Sequence, residues 1–202
     1  MLTSRVDNEL NSIKGGGACQ LREKVLAEAA ETWILVADYR KNSEILGTNW
    51  TQGIPIEVAP FAYAKVLDNL ALLGSPSVLP NGKPGLSLRM GLRKAGPVVS
   101  DNGMFIIDAP FSQEMMKDPA DVSIPTHPKL TIQLLHRIKM LTGVVEVGLF
   151  VKMAKAAYFG NEVCARRCNA GKWKTDEQAG SVSIRHEDGS LEKLTESPAV
   201  LV

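Results

Sequence analysis

The chain has 202 residues, of which 45% are hydrophobic, enough for one or two compact domains. Its 23 lysines and arginines balance 22 aspartates and glutamates, and the net charge of +1 argues against a nucleic-acid partner or an acidic membrane surface. Charges, prolines or glycines interrupt every apolar run before it reaches the ~20 residues of a membrane span, so we expect no membrane segment. Three cysteines, an odd number, and a start that does not resemble a secretory leader predict a cytoplasmic protein.

The first predicted elements are a loop, a helix and two strands. Lys14 is followed by three glycines, and residues 19–32 then place apolar side chains at helical spacing. Residues 33–37 are continuously apolar, which is typical of a strand buried on both faces of a parallel sheet. A second short strand is predicted over residues 54–58.

The middle of the chain alternates helices with strands. The spacing of apolar residues predicts one helix over residues 61–73 and another over residues 130–141. Between them, two apolar runs flank the Asp-Asn-Gly of residues 101–103, a pattern that predicts a β-hairpin. A strand over residues 144–151 is expected to follow.

This order of elements predicts an α/β protein with two unequal domains. We expect residues 60–149 to form a small α+β domain, inserted into a larger domain made of residues 1–59 and 150–202. Residues 161–179 are polar and follow neither the helix nor the strand period, so a disordered or loop insertion is predicted there. A last short strand is predicted over residues 181–185.

The segment from Lys14 to Glu23 carries the residues best suited to chemistry. Gly15, Gly16 and Gly17 let the backbone approach a ligand closely, and the helix behind them presents its positive end, so the loop favours an anionic or oxyanionic substrate. Glu23 could turn back over this loop and act as a general base. The alternatives are a plain glycine turn and a solvated glutamate, which are the commoner roles for such residues taken singly.

The complete string strongly resembles a known family. Residues 13–24 read Ile-Lys-Gly-Gly-Gly-Ala-Cys-Gln-Leu-Arg-Glu-Lys, which is similar to the signature of type A ribose-5-phosphate isomerases. Other segments resemble the same family in the same order: residues 36–41, 53–58, 94–99, 101–103 and 143–150. The likeness runs from about Val6 to Gly160 and resumes briefly at residues 180–182.

The resemblance implies both a fold and a reaction. The expected fold class is α/β, a partial Rossmann-like α/β/α domain with an inserted ferredoxin-like α+β lid. The implied reaction interconverts D-ribose 5-phosphate and D-ribulose 5-phosphate, a step of the pentose phosphate pathway that uses no metal and no organic cofactor. The implied partners are the sugar phosphate and further copies of the chain, in a homodimer or homotetramer.

The resemblance also assigns roles to particular residues. It implies that Glu23 moves a proton between C2 and C1 of the sugar and that Lys14 stabilises the enediolate formed in between. The three glycines would line the sugar, and Lys41 would contribute a positive charge toward the substrate. Taken alone, Lys41 would be read as a solvated lysine at the end of a strand.

The N-terminal end departs from the family pattern. Family members have an Asp-Gly-Ala-Asp-Glu segment directly before the Val-Asp pair that matches Val6 and Asp7, and a phosphate-binding loop further upstream. Here residues 1–5 read Met-Leu-Thr-Ser-Arg, and Asp7 and Glu9 do not replace the two missing aspartates. We therefore expect the chain to be truncated at its N terminus relative to the family.

Two other functions fit the same residues. One is a catalytically inactive truncated copy that acts as an assembly or interaction module, and the other is a related phosphosugar or acyl-transferring enzyme of the same broad fold. A metal site is not expected, because Cys164, Cys168 and His186 supply too few well-spaced ligands for zinc.

Overall fold

The computed structural model of the chain describes residues 5–48, 50–93, 95–117, 122–124, 127–132, 134–161, 165–167, 173–175 and 181–194. These residues combine helices with mixed sheets, which confirms the α/β fold class. The helices are α1 (Gln20–Ala29), α2 (Tyr63–Leu72), α3 (Gln113–Lys117) and α4 (Leu134–Lys139), with 3-10 turns at Tyr39–Lys41 and Pro60–Ala62. None of the described helices has the length and apolar character needed to cross a bilayer.

Fifteen described strands form five sheets. Those before residue 110 are β1 (Arg5–Val6), β2 (Ser12–Ile13), β3 (Ile34–Asp38), β4 (Ile54–Val58), β5 (Ser87–Leu88) and β6 (Phe105–Ala109). Those after it are β7 (Val122–Ile124), β8 (His127–Ile132), β9 (Val144–Val147), β10 (Leu149–Phe150), β11 (Ala156–Gly160), β12 (Ala165–Arg167), β13 (Trp173–Thr175), β14 (Val182–His186) and β15 (Leu191–Leu194).

One four-stranded sheet joins the start of the chain to its end, in the order β15-β14-β11-β3. As the sequence predicts, β3 lies in a parallel pair, with β11 as its partner. Burial on both faces is a wrong prediction, because Leu35 is fully buried whereas Ile34 and Val36 are 40% and 53% exposed. Among the described residues, no element covers the outer face of β3.

A second four-stranded sheet occupies the middle of the chain, in the order β5-β6-β4-β9, with every pair antiparallel. Helices α2 and α4 pack on it and complete a core that includes Ile56, Val66, Ile107 and Ile138. The structure differs from the expectation for β4, which places this strand with the residues before position 60. Its side chains are buried between β6 and β9, so packing draws it into the middle sheet.

The described hydrophobic residues fall into two clusters. One contains the middle sheet with its helices, and the other contains Val6, Trp33, Leu35, Phe150 and Phe159 around β3 and β11. This separation is compatible with two domains, and the pairing of β4 favours a boundary before Ile54. The division into two domains stays a prediction. The larger would comprise residues 1–59 and 150–202, and the inserted one residues 60–149.

Two predicted elements of the middle region have different bounds in the structure. The helix predicted over residues 130–141 begins at Leu134, because residues up to Ile132 pair with β7 as strand β8. The predicted hairpin at residues 101–103 is present as a tight turn, in which the Ser100 N–H donates to the Met104 carbonyl. One of its arms is the strand β6, whereas the other makes a single bridge at Val99.

The polar stretch of residues 161–179 also differs from its prediction where it is described. Strands β12 and β13 pair antiparallel, since backbone pairing does not require an apolar period in the sequence. Residues 162–164, 168–172 and 176–179 lie outside the described residues. The strand predicted after them is confirmed as β14, which pairs with both β11 and β15.

The strand predicted over residues 144–151 breaks at Gly148. Strand β9 belongs to the middle sheet, whereas β10 joins a three-stranded sheet of order β1-β2-β10. The Gly148 N–H donates to the Pro55 carbonyl at 2.7 Å, and its own carbonyl accepts from the Lys14 N–H at 2.8 Å. A Cβ at Gly148 would lie 2.3 Å from the Lys14 carbonyl oxygen, so the close approach requires glycine. The break therefore brings the middle sheet directly against Lys14.

Candidate active site

Lys14 follows strand β2 and is buried although it carries a charge. Its side chain has no exposed surface, and its Nζ lies 5.7 Å from the centre of the Phe150 ring. Strand β2 is held on both sides, by β1 and by β10, and the Lys14 N–H is bonded to Gly148. The backbone from which the Lys14 side chain extends is therefore held by β1, β10 and Gly148.

Glu23 lies on the first turn of α1 and faces Lys14. The Lys14 Nζ is 3.4 Å from the Glu23 Oε2, and the glutamate side chain remains 21% exposed. The Glu23 N–H donates to the Cys19 carbonyl, so the carboxylate lies at the positive end of the helix. The structure thus brings together a buried cation and a partly exposed carboxylate, the two groups predicted from the sequence.

The electrostatics of the pair favour negative charge near Lys14. Burial lowers the pKa of Lys14, and the neighbouring charge and hydrogen bond of Glu23 oppose this shift. An ammonium group with little water around it attracts an anionic oxygen more strongly than an exposed one does. A proton acceptor and a stabiliser of negative charge are thereby placed within one small volume.

The glycine loop closes this volume on one side. Gly15 is buried with a φ of +98°, and a Cβ there would meet the side chain of Gln20 at 2.7 Å. Gly16 and Gly17 are exposed, and Gly17 has open space where a side chain would lie. Ala18 has a left-handed φ of 59°, a conformation that costs an L-residue roughly 1–2 kcal/mol and is often found at functional sites.

Lys41 lies at the end of the 3-10 turn that follows β3 and is half-buried. The next residue, Asn42, bridges to Val6, so this turn lies beside the chain that leads into β2. No hydrogen bond or ion pair among the described residues joins Lys41 to Lys14 or to Glu23. Its role in binding stays a prediction.

Lys24, a half-buried lysine that sequence reasoning missed, attaches α1 to the strands behind it. The Lys24 Nζ donates to the Glu146 Oε1 at 2.8 Å, to the Val147 carbonyl at 2.6 Å and to the Leu149 carbonyl at 3.1 Å. Because Glu23 is the adjacent residue on the same helix, these bonds also hold the Glu23 backbone in position relative to Lys14. The sequence shows only a solvated-looking Arg-Glu-Lys string at this point.

Glu146 is held in turn by two lysines. Burial acts to raise the pKa of Glu146, but hydrogen bonds from Lys139 and Lys24 outweigh it and keep the pKa below its ordinary value. The side chains of Lys24 and Glu146 are 13% and 12% exposed, so their ion pair lies largely out of water. Such a pair is costly to break on one side only.

The other neighbour of Glu23 attaches the same helix to the turn at residues 101–103. The Arg22 Nε donates to the Asn102 Oδ1 at 3.1 Å, and the Asn102 Nδ2 donates to the Glu57 Oε1 at 2.9 Å. Glu57 is fully buried in strand β4. The Asp-Asn-Gly turn, predicted only as the end of a hairpin, therefore also serves as a docking point for α1.

A cavity of about 270 Å³ lies elsewhere in the molecule and includes neither Lys14 nor Glu23. Ile13, Trp50, Ile54, Phe111 and Met116 are among its lining residues, and none of the lining residues is charged. Within the part of the chain that the structure describes, no group of three or more His, Cys, Asp or Glu side chains could hold a metal ion. Cys164 and Cys168 lie outside that part.

The site residues belong to a matched family segment. The family model described as ribose 5-phosphate isomerase A (phosphoriboisomerase A) matches residues 3–163, which include Lys14, the glycine loop and Glu23. The chain belongs to the ribose 5-phosphate isomerase A family. The family assignment made from the signature of residues 13–24 is therefore confirmed.

Curated members of the ribose 5-phosphate isomerase A family include close relatives of the chain. It is 68% identical over 189 residues to the ribose-5-phosphate isomerase of Cryptococcus neoformans var. neoformans serotype D, a match that covers 94% of this chain and 53% of the relative. It is 61% identical over 157 residues to that of Mycosarcoma maydis, covering 78% of this chain and 48% of the relative. The chain spans about half the length of the curated relatives it matches.

Solved structures of the family share the fold. A D-ribose-5-phosphate isomerase in complex with phospho-erythronic acid is 27% identical to the chain with a TM-score of 0.63, covering 96% of this chain and 63% of that one. Ribose 5-phosphate isomerase A from Methanocaldococcus jannaschii is 29% identical with a TM-score of 0.61, covering 87% of this chain and 63% of that one.

Proposed function

We propose that the chain catalyses the interconversion of D-ribose 5-phosphate and D-ribulose 5-phosphate by proton transfer through an enediolate, with no metal or organic cofactor. The observation that carries the proposal is the contact between the buried Lys14 ammonium and the Glu23 carboxylate, 3.4 Å apart beside the glycine loop. A C–H group next to a carbonyl is a weak acid. Removing its proton needs both a base and a group that stabilises the resulting anion.

In the forward direction Glu23 accepts the proton from C2 of the open-chain aldose. The electrons of the broken C–H bond form a C1–C2 double bond, and the negative charge moves to the oxygen on C1. Glu23 then returns its proton to C1, while the hydroxyl proton on the C2 oxygen is transferred to the C1 oxygen. The product is the ketose, and one carboxylate serves for both carbon positions because C1 and C2 are adjacent.

Lys14 acts on the oxygen at which the charge develops. Its ammonium is preorganised by β2, so little reorganisation is needed when the enediolate forms. Burial lowers the pKa of Lys14, which strengthens it as a proton donor toward that oxygen. Gly15, Gly16 and Gly17 are proposed to line the sugar, and Lys41 to contribute positive charge toward the substrate.

The test is an assay of ribose 5-phosphate conversion by the 202-residue chain in EDTA, with the Glu23→Gln variant beside it. The amide keeps the shape of the glutamate but cannot accept the proton, so kcat should fall by about 10²–10⁴. Glu28→Gln, an exposed glutamate later on the same helix, is the matched control and should retain the parent rate. A Glu23→Gln rate near that of the parent would refute the assignment, and a parent without turnover would refute the activity.

The inactive assembly module fits these observations less well. A surplus copy without catalysis has no need to keep a buried lysine 3.4 Å from a partly exposed carboxylate, because burial of an ammonium is costly. A related enzyme with another reaction would place its catalytic groups differently from the Lys14 and Glu23 signature. The contact between these two side chains therefore supports the isomerase.

We also propose that the chain assembles as a homodimer or homotetramer. The supporting observation is exposed apolar side chains on α1, where Val25 and Leu26 are 56% and 62% exposed, and on the edge strand β3, where Val36 is 53% exposed. Exposed apolar patches on a sheet edge are typical of association surfaces. Sedimentation analysis of the parent and of Val36→Lys tests the proposal. A parent that stays monomeric at all concentrations would refute it.

A cytoplasmic location is proposed from the odd cysteine count, because disulfide-stabilised proteins of oxidising compartments usually pair their cysteines. Fluorescence microscopy of the tagged protein tests this location, and a signal confined to an organelle would contradict it.

A further inference from the structure

Arg89 links the middle sheet to the glycine loop. It follows β5 directly, and its Nη1 donates to the Gly15 carbonyl at 2.9 Å and to the Gly16 carbonyl at 3.1 Å. The loop has one other backbone bond among the described residues, from the Ala18 N–H to the Gly15 carbonyl. Arg89 is therefore the main restraint on the part of the loop that faces solvent.

Asp108 fixes the direction of the Arg89 guanidinium. The Arg89 Nε donates to the Asp108 Oδ2 at 2.8 Å, and its Nη2 donates to the other carboxylate oxygen. Gln52 adds a third bond to Asp108, from its Nε2 to the Oδ2 at 2.9 Å. The side chains of Arg89 and Asp108 are 10% and 8% exposed, so this two-pronged ion pair is largely shielded from water and cannot easily rotate.

The backbone of Arg89 is fixed as well. Its N–H donates to the Ile106 carbonyl and its carbonyl accepts from the Val98 N–H, both at 2.8 Å. The Arg89 backbone is held by strand β6, and its Nε and Nη2 are held by Asp108. The Nη1 group, which remains, therefore points in one direction. That direction is toward the glycine loop.

The planarity of the peptide bond gives this contact a consequence for ligand binding. In a trans peptide the N–H points opposite to the carbonyl, so holding the Gly15 and Gly16 carbonyls toward Arg89 turns the N–H groups of Gly16 and Gly17 the other way. Within the described part of the chain these two N–H groups have no hydrogen-bond acceptor. Two aligned N–H groups on an exposed glycine loop are suited to binding an anionic oxygen.

We propose that Arg89, held by Asp108, is a positioning residue that aims the N–H groups of Gly16 and Gly17 at an anionic oxygen of the substrate. The inference rests on the proposed function for the identity of that oxygen, the charged oxygen of the enediolate or its carboxylate mimic. Arg89 touches neither Lys14 nor Glu23 in the described contacts, so it acts through the loop alone.

The test measures the loop directly, by the NMR order parameters of the Gly16 and Gly17 amides in the 202-residue chain. The parent should show values near those of rigid backbone, about 0.85, and Arg89→Lys should bring them below about 0.6, because a single ammonium cannot bond both Asp108 and the two carbonyls. Arg93→Lys, an exposed arginine of the same segment, is the matched control and should behave as the parent does. Unchanged order parameters in Arg89→Lys would overturn the proposal.

Binding of phospho-erythronic acid supplies the functional readout. Its carboxylate spreads negative charge over two oxygens as an enediolate does, and we expect Arg89→Lys to weaken its affinity about tenfold, with loss of the Gly16 and Gly17 amide shifts that binding causes in the parent. Asp108→Asn, which keeps the arginine, gives a second variant if Arg89→Lys does not fold. A parent that does not bind this ligand refutes the proposed function, whereas the order parameters still decide the role of Arg89. Equal affinity of the parent and both variants refutes that role.

Discussion

Gly148 offers the sharpest test of how the two parts of the site are joined. In the Gly148→Ala variant the new Cβ would lie 2.3 Å from the Lys14 carbonyl oxygen and 2.8 Å from the Pro55 carbonyl oxygen. Ordinary contact starts near 3.4 Å, so one backbone segment would have to move by about 1 Å. Both obstacles are backbone atoms in hydrogen-bonded segments, and neither can swing aside as a side chain would.

The energetic cost follows from these contacts. Moving the segments apart weakens the two backbone hydrogen bonds of Gly148, which lie at 2.7 and 2.8 Å and contribute about 1 kcal/mol each. Overpacking of a closely packed site adds about 1–3 kcal/mol. The free energy of unfolding should therefore fall by about 3–5 kcal/mol, and turnover should fall as well because Lys14 moves with its carbonyl.

Urea unfolding followed by circular dichroism measures the effect on stability. Gly160→Ala is the matched control, because its Cβ would meet no atom within 4 Å and its φ is not left-handed. That variant should stay within about 0.5 kcal/mol of the parent. A Gly148→Ala protein as stable as the Gly160→Ala control would refute the close crossing of β9 and β10 against Lys14.

Three further predictions concern charged groups. Because burial lowers the pKa of Lys14, kcat/KM should fall on the alkaline side at a pH below the ordinary lysine value of about 10.4, and Lys14→Arg should move that limb to higher pH. Burial also raises the pKa of Asp7 to about 6, so the folded chain keeps a proton that the unfolded chain loses. Its stability should then fall by up to about 3 kcal/mol as the pH rises from 3.8 to 6, a slope that Asp7→Asn removes in urea titrations. Lys24→Met leaves Glu146 short of one partner and should lower the unfolding free energy by about 2–4 kcal/mol, measured by urea unfolding.

Each of these has a distinct contrary result. An alkaline limb that does not move in Lys14→Arg would remove Lys14 from the rate-determining protonation. Identical pH dependence of stability in the parent and Asp7→Asn would mean that Asp7 is ionised in the folded chain. A Lys24→Met protein as stable as the parent would show that Lys139 alone suffices for Glu146.

The sequence predicts the reacting residues of the site better than it predicts the residues that hold them in place. Lys14 and Glu23 lie nine residues apart on a strand end and the first turn of a helix, so local structure alone brings them within reach of each other. Arg89 reaches Gly15 and Gly16 from 74 and 73 residues away and is held by Asp108 across a strand pair that no local period encodes. The positions of Arg89 and Asp108 depend on tertiary packing, which patterns in a single sequence do not reveal.

The same distinction explains the errors in the fold. Periodicity gives the type of an element, and β3, α1 and α2 are found where apolar spacing predicts them. It does not give the partner, so it predicts neither the pairing of β4 with β6 and β9 nor the break at Gly148. Leu130 and Ile132 are compatible with either period, and pairing with β7 decides for a strand.

Proton transfer by Glu23 is tested most directly by the fate of hydrogen during turnover in D₂O. The parent, incubated with ribose 5-phosphate in D₂O and EDTA, should introduce deuterium at C1 of the ribulose 5-phosphate it forms, as seen by NMR, because the proton on Glu23 exchanges with solvent. The Glu23→Gln variant should introduce it about 10²–10⁴ times more slowly than the parent. Deuterium uptake at equal rates in the parent and in Glu23→Gln would contradict the assignment of Glu23 as the base.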